Sequence, residues 1–373
     1  MKKLGFGLMR LPLTDPNDEA KIDIEQAKKM VDLFMGKGFT YFDTAWMYHE
    51  YKSEDAVKTL ISSRYPRESF CLATKMHVDF ADSPEDLDRI FKRQLEKCGV
   101  EYFDYYLLHD QNTRIFKKCR ELGAFEWLKE KKALGLVRKI GFSFHDGADV
   151  LEEVLAAFPE ADFVQLQINY IDWDSEAIQS RLNYETARRH SKEIIVMEPV
   201  KGGTLASVPD EAEHLMRSVQ PGWSIPSWAI RFAAGLPGVI MVLSGMSSLA
   251  QMEDNLSYME HFHPLGQTER DVLRRVVRII SGRTVIPCTS CAYCTTMCPV
   301  HIPIFKYFSL YNQDSRELEG KGDTSAKENY GELTQVFAGA GECIRCGACE
   351  RICPQHLPIR SLLADVADYF EKS

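Results

Sequence analysis

The sequence predicts an α/β chain: a (β/α)8 barrel followed by a smaller, mostly α-helical domain. Three observations predict it. Residues 1–265 alternate eight short apolar runs with amphipathic stretches, and eight strand–helix units in roughly 250 residues indicate a closed barrel rather than an open sheet. Eight of the eleven cysteines follow residue 287, a composition shift that marks a boundary. Those eight form one pattern written twice: Cys288, Cys291, Cys294 and Cys298 precede Pro299, and Cys343, Cys346, Cys349 and Cys353 precede Pro354. The division read from these features is a barrel over 1–265, a linking helix over 266–282 and a cluster domain over 283–373.

The strand candidates are Phe6–Leu11, Phe39–Asp43, Phe70–Lys75, Phe103–His109, Val137–Phe142, Phe163–Gln167, Ile194–Glu198 and Val239–Leu243. Ile24, Ala27, Val31 and Phe34 recur at helical spacing with Asp23 as the cap. A second helix opens at Ser83-Pro84 and stops at Gly99. Gly5-Phe6-Gly7 lacks the third glycine of a dinucleotide fingerprint and lies within the first strand, so it gives no support to a Rossmann domain. Helices are expected over Thr268–Ser281, Ile304–Tyr311 and Ser361–Phe370, with the polar stretch Asn312–Glu332 between the two cysteine runs.

A barrel of this kind gathers its chemistry where strands end. Three consecutive strand candidates, the second to the fourth, end on ionisable residues, Asp43, Lys75 and His109, and Tyr48 follows in the loop after Asp43. These four meet the needs of carbonyl reduction. A ketone oxygen that accepts a hydride requires a proton, and a phenol can supply it. Free tyrosine has a pKa near ~10; a lysine cation beside it favours the phenolate, and a carboxylate can hold the lysine. A histidine can orient the carbonyl. Any one of the four alone is more often a solvated or hydrogen-bonded structural residue than a catalyst; the convergence carries the argument.

The cysteine runs have the C-x2-C-x2-C-x3-C-P spacing that holds iron–sulfur clusters in bacterial two-cluster ferredoxins. Three closely spaced thiolates ligate one cubane, and the fourth reaches the other. One [4Fe–4S] cluster therefore takes Cys288, Cys291, Cys294 and Cys353, and the other takes Cys343, Cys346, Cys349 and Cys298. The copies continue beyond the cysteines, Pro-Val-His-Ile-Pro-Ile matching Pro-Gln-His-Leu-Pro-Ile, so two pseudo-symmetric halves of a ferredoxin-like domain are expected. Zinc is the rival occupant, but its ligands come as separated pairs. His301 and His356 are read as tuning or packing residues, and Cys71, Cys98 and Cys119 as buried filler.

Gly-Phe-Gly-Leu-Met-Arg-Leu-Pro, Phe-Asp-Thr-Ala-Trp-Met-Tyr, Ala-Thr-Lys, Asp-Tyr-Tyr-Leu-Leu-His-Asp and Ile-Gly-Phe-Ser-Phe-His together resemble the aldo-keto reductases, in the bacterial subgroup with a C-terminal ferredoxin-like extension. The resemblance covers residues 1–265 and implies that Tyr48 is the acid, Lys75 with Asp43 tunes it, and His109 orients the substrate. It implies NADPH bound without a Rossmann fold, with Ser143 and Gln167 on the nicotinamide carboxamide and Met197 packed on its ring. Ser244, Gly245 and Met246 would meet the pyrophosphate and ribose, with Gln251 and Asn255 on the helix beyond. The pattern departs at Phe144, where relatives often have asparagine, at Met197, where many have tyrosine, and at Gly245 and Gln251, where the 2′-phosphate is often gripped by lysine and arginine. NADH therefore stays open as the cofactor. Lys201 is a possible substitute cation but reads more simply as a loop lysine.

The expectation is an NAD(P)H-dependent oxidoreductase acting on an aldehyde or ketone, or the reverse, whose clusters exchange electrons with a flavin or a protein partner. An electron-transfer protein using the barrel as a docking scaffold is the alternative. A metal-dependent hydrolase built on His77, His109 and His145 is a third reading. His145 is read as a locally bonded loop residue, His49 is given no role, and Trp46, Tyr51 and Trp173 suggest a partly apolar pocket. The net charge of −9 without a basic cluster excludes a nucleic-acid partner. No apolar run nears the ~18 residues that span a bilayer. Lys2-Lys3 with a short apolar run broken by Arg10 is not a signal peptide, so a cytoplasmic protein is expected.

Overall fold

Eight parallel strands close on themselves in sequence order, β8 pairing with β1. They are β1 (Leu4–Gly7), β2 (Tyr41–Asp43), β3 (Cys71–Met76), β4 (Phe103–Gln111), β5 (Val137–Phe144), β6 (Phe163–Gln167), β7 (Glu193–Met197) and β8 (Val239–Gly245). This computed structural model describes residues 2–282, 285–317 and 325–371. The chain divides into two compact units: Met1–Pro199 with Pro226–Gly266, and Val200–Ile225 with Gln267–Ser373. All eight strands belong to the first. The segment after β7, which sequence order alone assigns to the barrel, packs with the C-terminal unit.

Strand alternation sorts side chains between the barrel interior and the helical layer. Tyr41, Ala73, Leu107, Ile195, Met241 and Leu243 fill the interior with Tyr105 and Phe163, and the three rings meet edge to face at 5.2 and 5.1 Å. That plug leaves no room at Gly5, where a Cβ would stand 2.8 Å from Leu243 Cδ2 and 3.0 Å from Tyr41 Cδ1. Two residues beyond the plug, alternation returns to the same face. Asp43, Lys75, His109, Met197 and Gly245 thus stand together at the C-terminal rim.

The helices start where their caps dictate. Gln26 N–H donates to Asp23 Oδ1 at 2.9 Å ahead of helix Ile24–Gly36. Ser83 and Asp86 form a capping box on helix Pro84–Cys98, which ends at Gly99 with φ 64.

Several strand ends fall elsewhere than the sequence suggests. β1 starts at Leu4 and stops at Gly7, giving way to a 3-10 turn over Leu8–Arg10. Its partner β2 ends at Asp43, and beyond that point Leu11 N–H donates to His49 Nε2 at 3.2 Å instead of to a ladder. The other ring nitrogen of His49 bonds the Glu19 carbonyl at 2.8 Å. His49 is therefore the clamp on this loop. β4 runs past His109 to Gln111 through a register shift, with Asp110 at φ 59. β5 and β8 each continue two residues further than expected, whereas β7 stops at Met197, because Glu198 turns to φ 55.

In the C-terminal unit, helix Gln267–Ser281 packs on helix Asp210–Val219, joined by Gln220 Nε2 to Glu269 Oε1 at 2.7 Å. Helices Ile304–Glu317, Ser325–Thr334 and Ile359–Phe370 follow, with one short turn of helix inside each cysteine run. The duplication is visible in the core. Ile302 and Leu357, Ile304 and Ile359, and Phe308 and Leu363 hold matching positions of the two copies, and all six are buried together. Backbone conformations match as well: Ser290 and Arg345 have φ 53 and 58, and His301 and His356 have φ 57 and 51. Of the stretch Asn312–Glu332, residues 318–324 lie outside those described, as do 283–284 and 372–373 of the domain drawn from the sequence.

Candidate functional site

At the barrel rim Lys75, buried completely, donates from Nζ to Asp43 Oδ1 at 2.5 Å and to the Thr44 carbonyl at 2.7 Å. Burial alone would lower the pKa of this ammonium. The Asp43 carboxylate and the Tyr48 oxygen, both within its hydrogen-bond reach, more than reverse that and leave it raised. Burial raises the Asp43 pKa, against the pull of Lys75. The Lys75 ammonium stands 4.9 Å from the centre of the Tyr48 ring, and that ring meets His109 edge-on at 6.0 Å. Burial, followed by the charges of Lys75, His77 and His145, pushes His109 well below the usual imidazole range. It is a neutral ring whose Nδ1 is buried without a partner. Asp43, Tyr48, Lys75 and His109, which come from β2, its following loop, β3 and β4, are thus brought into one cluster.

Behind Lys75 lies a second buried group. Glu54 Oε1 accepts from Thr74 Oγ1 at 2.7 Å and from Gln94 Nε2 at 2.6 Å, and the same Gln94 nitrogen reaches the Lys75 carbonyl at 3.0 Å. Beside His109, Asp110 is buried between two imidazoles, with Oδ2 3.4 Å from His77 Nε2 and Oδ1 3.9 Å from His145 Nε2. Trp46, Tyr51, Phe80 and His77 form a run of edge contacts at 5.9–6.1 Å. Trp173 does not join them; it packs on Tyr184 and Phe232. Among the described residues no three His, Cys, Asp or Glu side chains close on one point as a single metal ion requires.

The residues expected around a nicotinamide are spread along the rim. Ser143 Oγ accepts from the Asp110 N–H at 2.9 Å, which leaves its hydroxyl proton free to serve as a donor. Gln167 donates to Asp172 at 2.8 Å, and Met197 Sδ lies 3.4 Å from Gln165 Nε2. Asn255 is committed to Ser244 Oγ at 3.0 Å and to the Tyr258 hydroxyl at 2.5 Å. Gln251 accepts from Ser247 N–H at 2.7 Å. Met246 is completely buried, backbone included. Sequence order hid Arg10. Its side chain crosses Gly245, where a Cβ would come within 3.0 Å of Arg10 Cδ, and its guanidinium stands 3.9 Å from Glu198.

In the C-terminal unit two apolar cavities carry the cysteines. Cys288, Cys291, Cys294 and Cys353 line one, and Cys298, Cys343, Cys346 and Cys349 line the other. Each holds three thiols of one copy and the fourth of the other, the crossed grouping read from the spacing. The donor set suits a cluster: four soft thiols around a cavity rather than on a point. Burial pushes the Cys349 thiol up to about 11 and raises Cys294 further, so a metal's charge is needed to make them thiolates. Of the other three cysteines, Cys98 and Cys119 are buried, whereas Cys71 is only half-buried.

Two family models match the chain. The model of the aldo/keto reductase family matches residues 3–277, and that of the 4Fe-4S dicluster domain matches residues 284–357. An uncharacterized oxidoreductase of Bacillus subtilis is 23% identical over 69% of this chain and 86% of its own. An aldo-keto reductase of Mycobacterium avium is 26% identical over 53% of this chain and 69% of its own. Among solved structures, the holo form of an aldo-keto reductase from Bacillus halodurans superposes with a TM-score of 0.57 at 22% identity, covering 74% of this chain and 91% of its own. One from Klebsiella pneumoniae in complex with NADP and acetate gives 0.59 at 19%, covering the same shares. The chain belongs to the aldo/keto reductase family and carries a 4Fe-4S dicluster domain after its barrel.

Proposed function

We propose that this protein is an NAD(P)H-dependent reductase of small aldehydes or ketones whose C-terminal clusters exchange single electrons with a flavin or a redox protein. The observation that carries the reading is the buried Asp43–Lys75 pair with the Tyr48 ring 4.9 Å from its ammonium, beside His109. Bound reduced nicotinamide supplies a hydride, and bound clusters pass electrons one at a time.

Tyr48 gives its hydroxyl proton to the carbonyl oxygen as charge develops there. Lys75, fixed by Asp43 and the Thr44 carbonyl, stabilises the phenolate left behind. His109, uncharged, donates an N–H to the same oxygen and orients it without competing as a cation. Positioned acid catalysis of this kind contributes roughly 10²–10⁴-fold.

For the cofactor, Ser143 and Gln167 hold the carboxamide, and Met197 packs on the ring. Ser244 and Gly245 line the pyrophosphate, with Met246, Gln251 and Asn255 behind them. Arg10, across Gly245, supplies the positive charge that residues 244–255 lack, which favours NADPH; the NADP complex of the Klebsiella relative is consistent with this. The crossed cysteine quartets hold two [4Fe–4S] clusters. The helix over 266–282 links the barrel to the cluster domain in sequence. No helix among the described residues is long and apolar enough to cross a membrane; a cytoplasmic site is part of the proposal.

Tyr48→Phe tests the reading. It is expected to lower NADPH-dependent carbonyl reduction at least about 10²-fold while the visible absorption of the clusters is unchanged. Full activity in the variant would sink the reductase and leave the barrel as a scaffold.

A further inference from the structure

The two cysteine copies are alike in spacing and backbone but not in exposure. Thr289 and Ile344 hold the same position, directly after the first cysteine of each run. Thr289 is 2% exposed and Ile344 is 61% exposed. Thr289 is covered by the chain itself: the segment Val200–Ile225 belongs to the same compact unit, and Gly202 presses so closely that a Cβ there would stand 1.9 Å from the Thr289 carbonyl oxygen. The equivalent loop, Ile344-Arg345-Cys346, is exposed throughout, its cysteine included. Met297, beside the fourth cysteine of that same cavity, is 46% exposed.

The copies also differ in charge. Arg345 and Arg351 stand where the other copy has Ser290 and Thr296, and both are exposed. The neighbouring acids are engaged locally. Glu350 is bonded to Arg360 at 2.7 Å, and Glu342 accepts from the Gly339 N–H at 2.8 Å. In a chain of net charge −9, an exposed apolar residue flanked by arginines at a redox cavity is a local exception to the overall field.

We propose that the cavity of Cys298, Cys343, Cys346 and Cys349 is the port through which this protein exchanges electrons with an acidic redox protein, Ile344 and Met297 making the apolar contact and Arg345 and Arg351 the charged one. The cavity of Cys288 is the inner site, closed by the chain's own segment. The inference rests on the clusters being redox-active, as proposed above. A duplicated module needs only one open end to accept electrons from outside, and divergence of the copies at their surface positions supplies it.

The test uses the holoprotein with both clusters, kept anaerobic, and follows their absorption after mixing with a reduced, acidic [2Fe–2S] ferredoxin or with dithionite. Arg345→Glu is expected to slow reduction by the ferredoxin about tenfold at low ionic strength. The difference should vanish near about 0.5 M salt, with the dithionite rate unchanged. Ser290→Glu, at the matching position, is expected to change neither rate. No slowing in Arg345→Glu overturns the port, as does equal slowing in a Ser290→Glu protein that retains its iron. Wild-type clusters that dithionite reduces and the ferredoxin does not overturn the acidic partner alone. Clusters that neither reduces overturn the electron-exchange reading itself.

Discussion

His77 Nε2 lies 3.4 Å from Asp110 Oδ2, and the far side of the ring fixes the direction of that bond. Nδ1 of His77 accepts from the Asp79 N–H at 3.3 Å, so in the neutral ring the proton sits on Nε2 and points at Asp110. Asp110 reaches this place through left-handed backbone, φ 59, at a register shift in β4 directly after His109. Bulges of this kind re-aim side chains beside active sites, and here the result is a carboxylate facing His77, whose ring meets His109 edge-on at 5.9 Å.

Asp110→Ala should therefore disturb the placement of His109 without touching the proton donor. The loss of one charge-assisted bond, about 1.4 kcal/mol, corresponds to about a tenfold fall in kcat/KM. Asp110→Asn keeps an acceptor for His77 and should stay within about threefold of the parent. Steady-state kinetics of the two variants, with the pH profile beside them, decide the point. An unchanged Asp110→Ala enzyme would make the array a packing feature.

Glu54 predicts how stability depends on pH. Burial raises its carboxyl from 4.5 to about 7, against the bonds from Thr74 and Gln94. A carboxyl whose folded pKa is raised binds its proton more tightly in the folded state. Its contribution is complete below the unfolded value and is lost as pH rises through about 7. The shift bounds the effect at about 3 kcal/mol. Glu54→Gln removes this titration, so relative to the parent it should gain stability between pH ~5 and ~8.5 by roughly 1–3 kcal/mol. Urea unfolding of both proteins at the two pH values measures the difference, and parallel curves would sink the assignment.

The strands could be read from sequence because a parallel barrel buries both faces of each strand, which leaves eight apolar runs. The crossed cysteine quartets were legible for a similar reason: the spacing rule is local and the repeat supplies the partner. What escaped was set by contacts distant in the chain. Asp110 gives no sign of its left-handed backbone. β1 looks longer than it is, since Leu8–Leu11 is as apolar as a strand but its neighbour has already ended. Arg10 is far from Gly245 in sequence, and only barrel closure between β1 and β8 lays one over the other. The attachment of 200–225 to the C-terminal unit has no composition signal at all.

Arg10 supplies the third prediction. If its guanidinium is the cation for a phosphate near Gly245, Arg10→Gln should raise the KM for NADPH about tenfold, the value of one lost charged contact. The KM for NADH should barely move. Its partner Glu198, 3.9 Å away, competes with a phosphate, so Glu198→Gln should tighten NADPH binding. Equal effects on the two nucleotides would place Arg10 in a structural role on the rim.

Gly202 is the sharpest test of the covered cluster. The position has φ 63, and a Cβ would stand 1.9 Å from the Thr289 oxygen and 2.5 Å from its carbonyl carbon. Neither atom belongs to a side chain that could swing aside. Gly203, next to it, has φ 101 and nothing within 4 Å of a Cβ. Gly203→Ala therefore carries backbone strain of about 1–3 kcal/mol and no collision, whereas Gly202→Ala carries both. Because Thr289 lies between Cys288 and Cys291, relief of that collision must displace the loop that lines the first cavity. Gly202→Ala is expected to purify with about half the iron of the parent, and Gly203→Ala with all of it. Iron and sulfide analysis of the two proteins reads the result. Full iron in Gly202→Ala would mean that the segment can lift away from Thr289 without cost to the cluster, and the inner site would then be open as well.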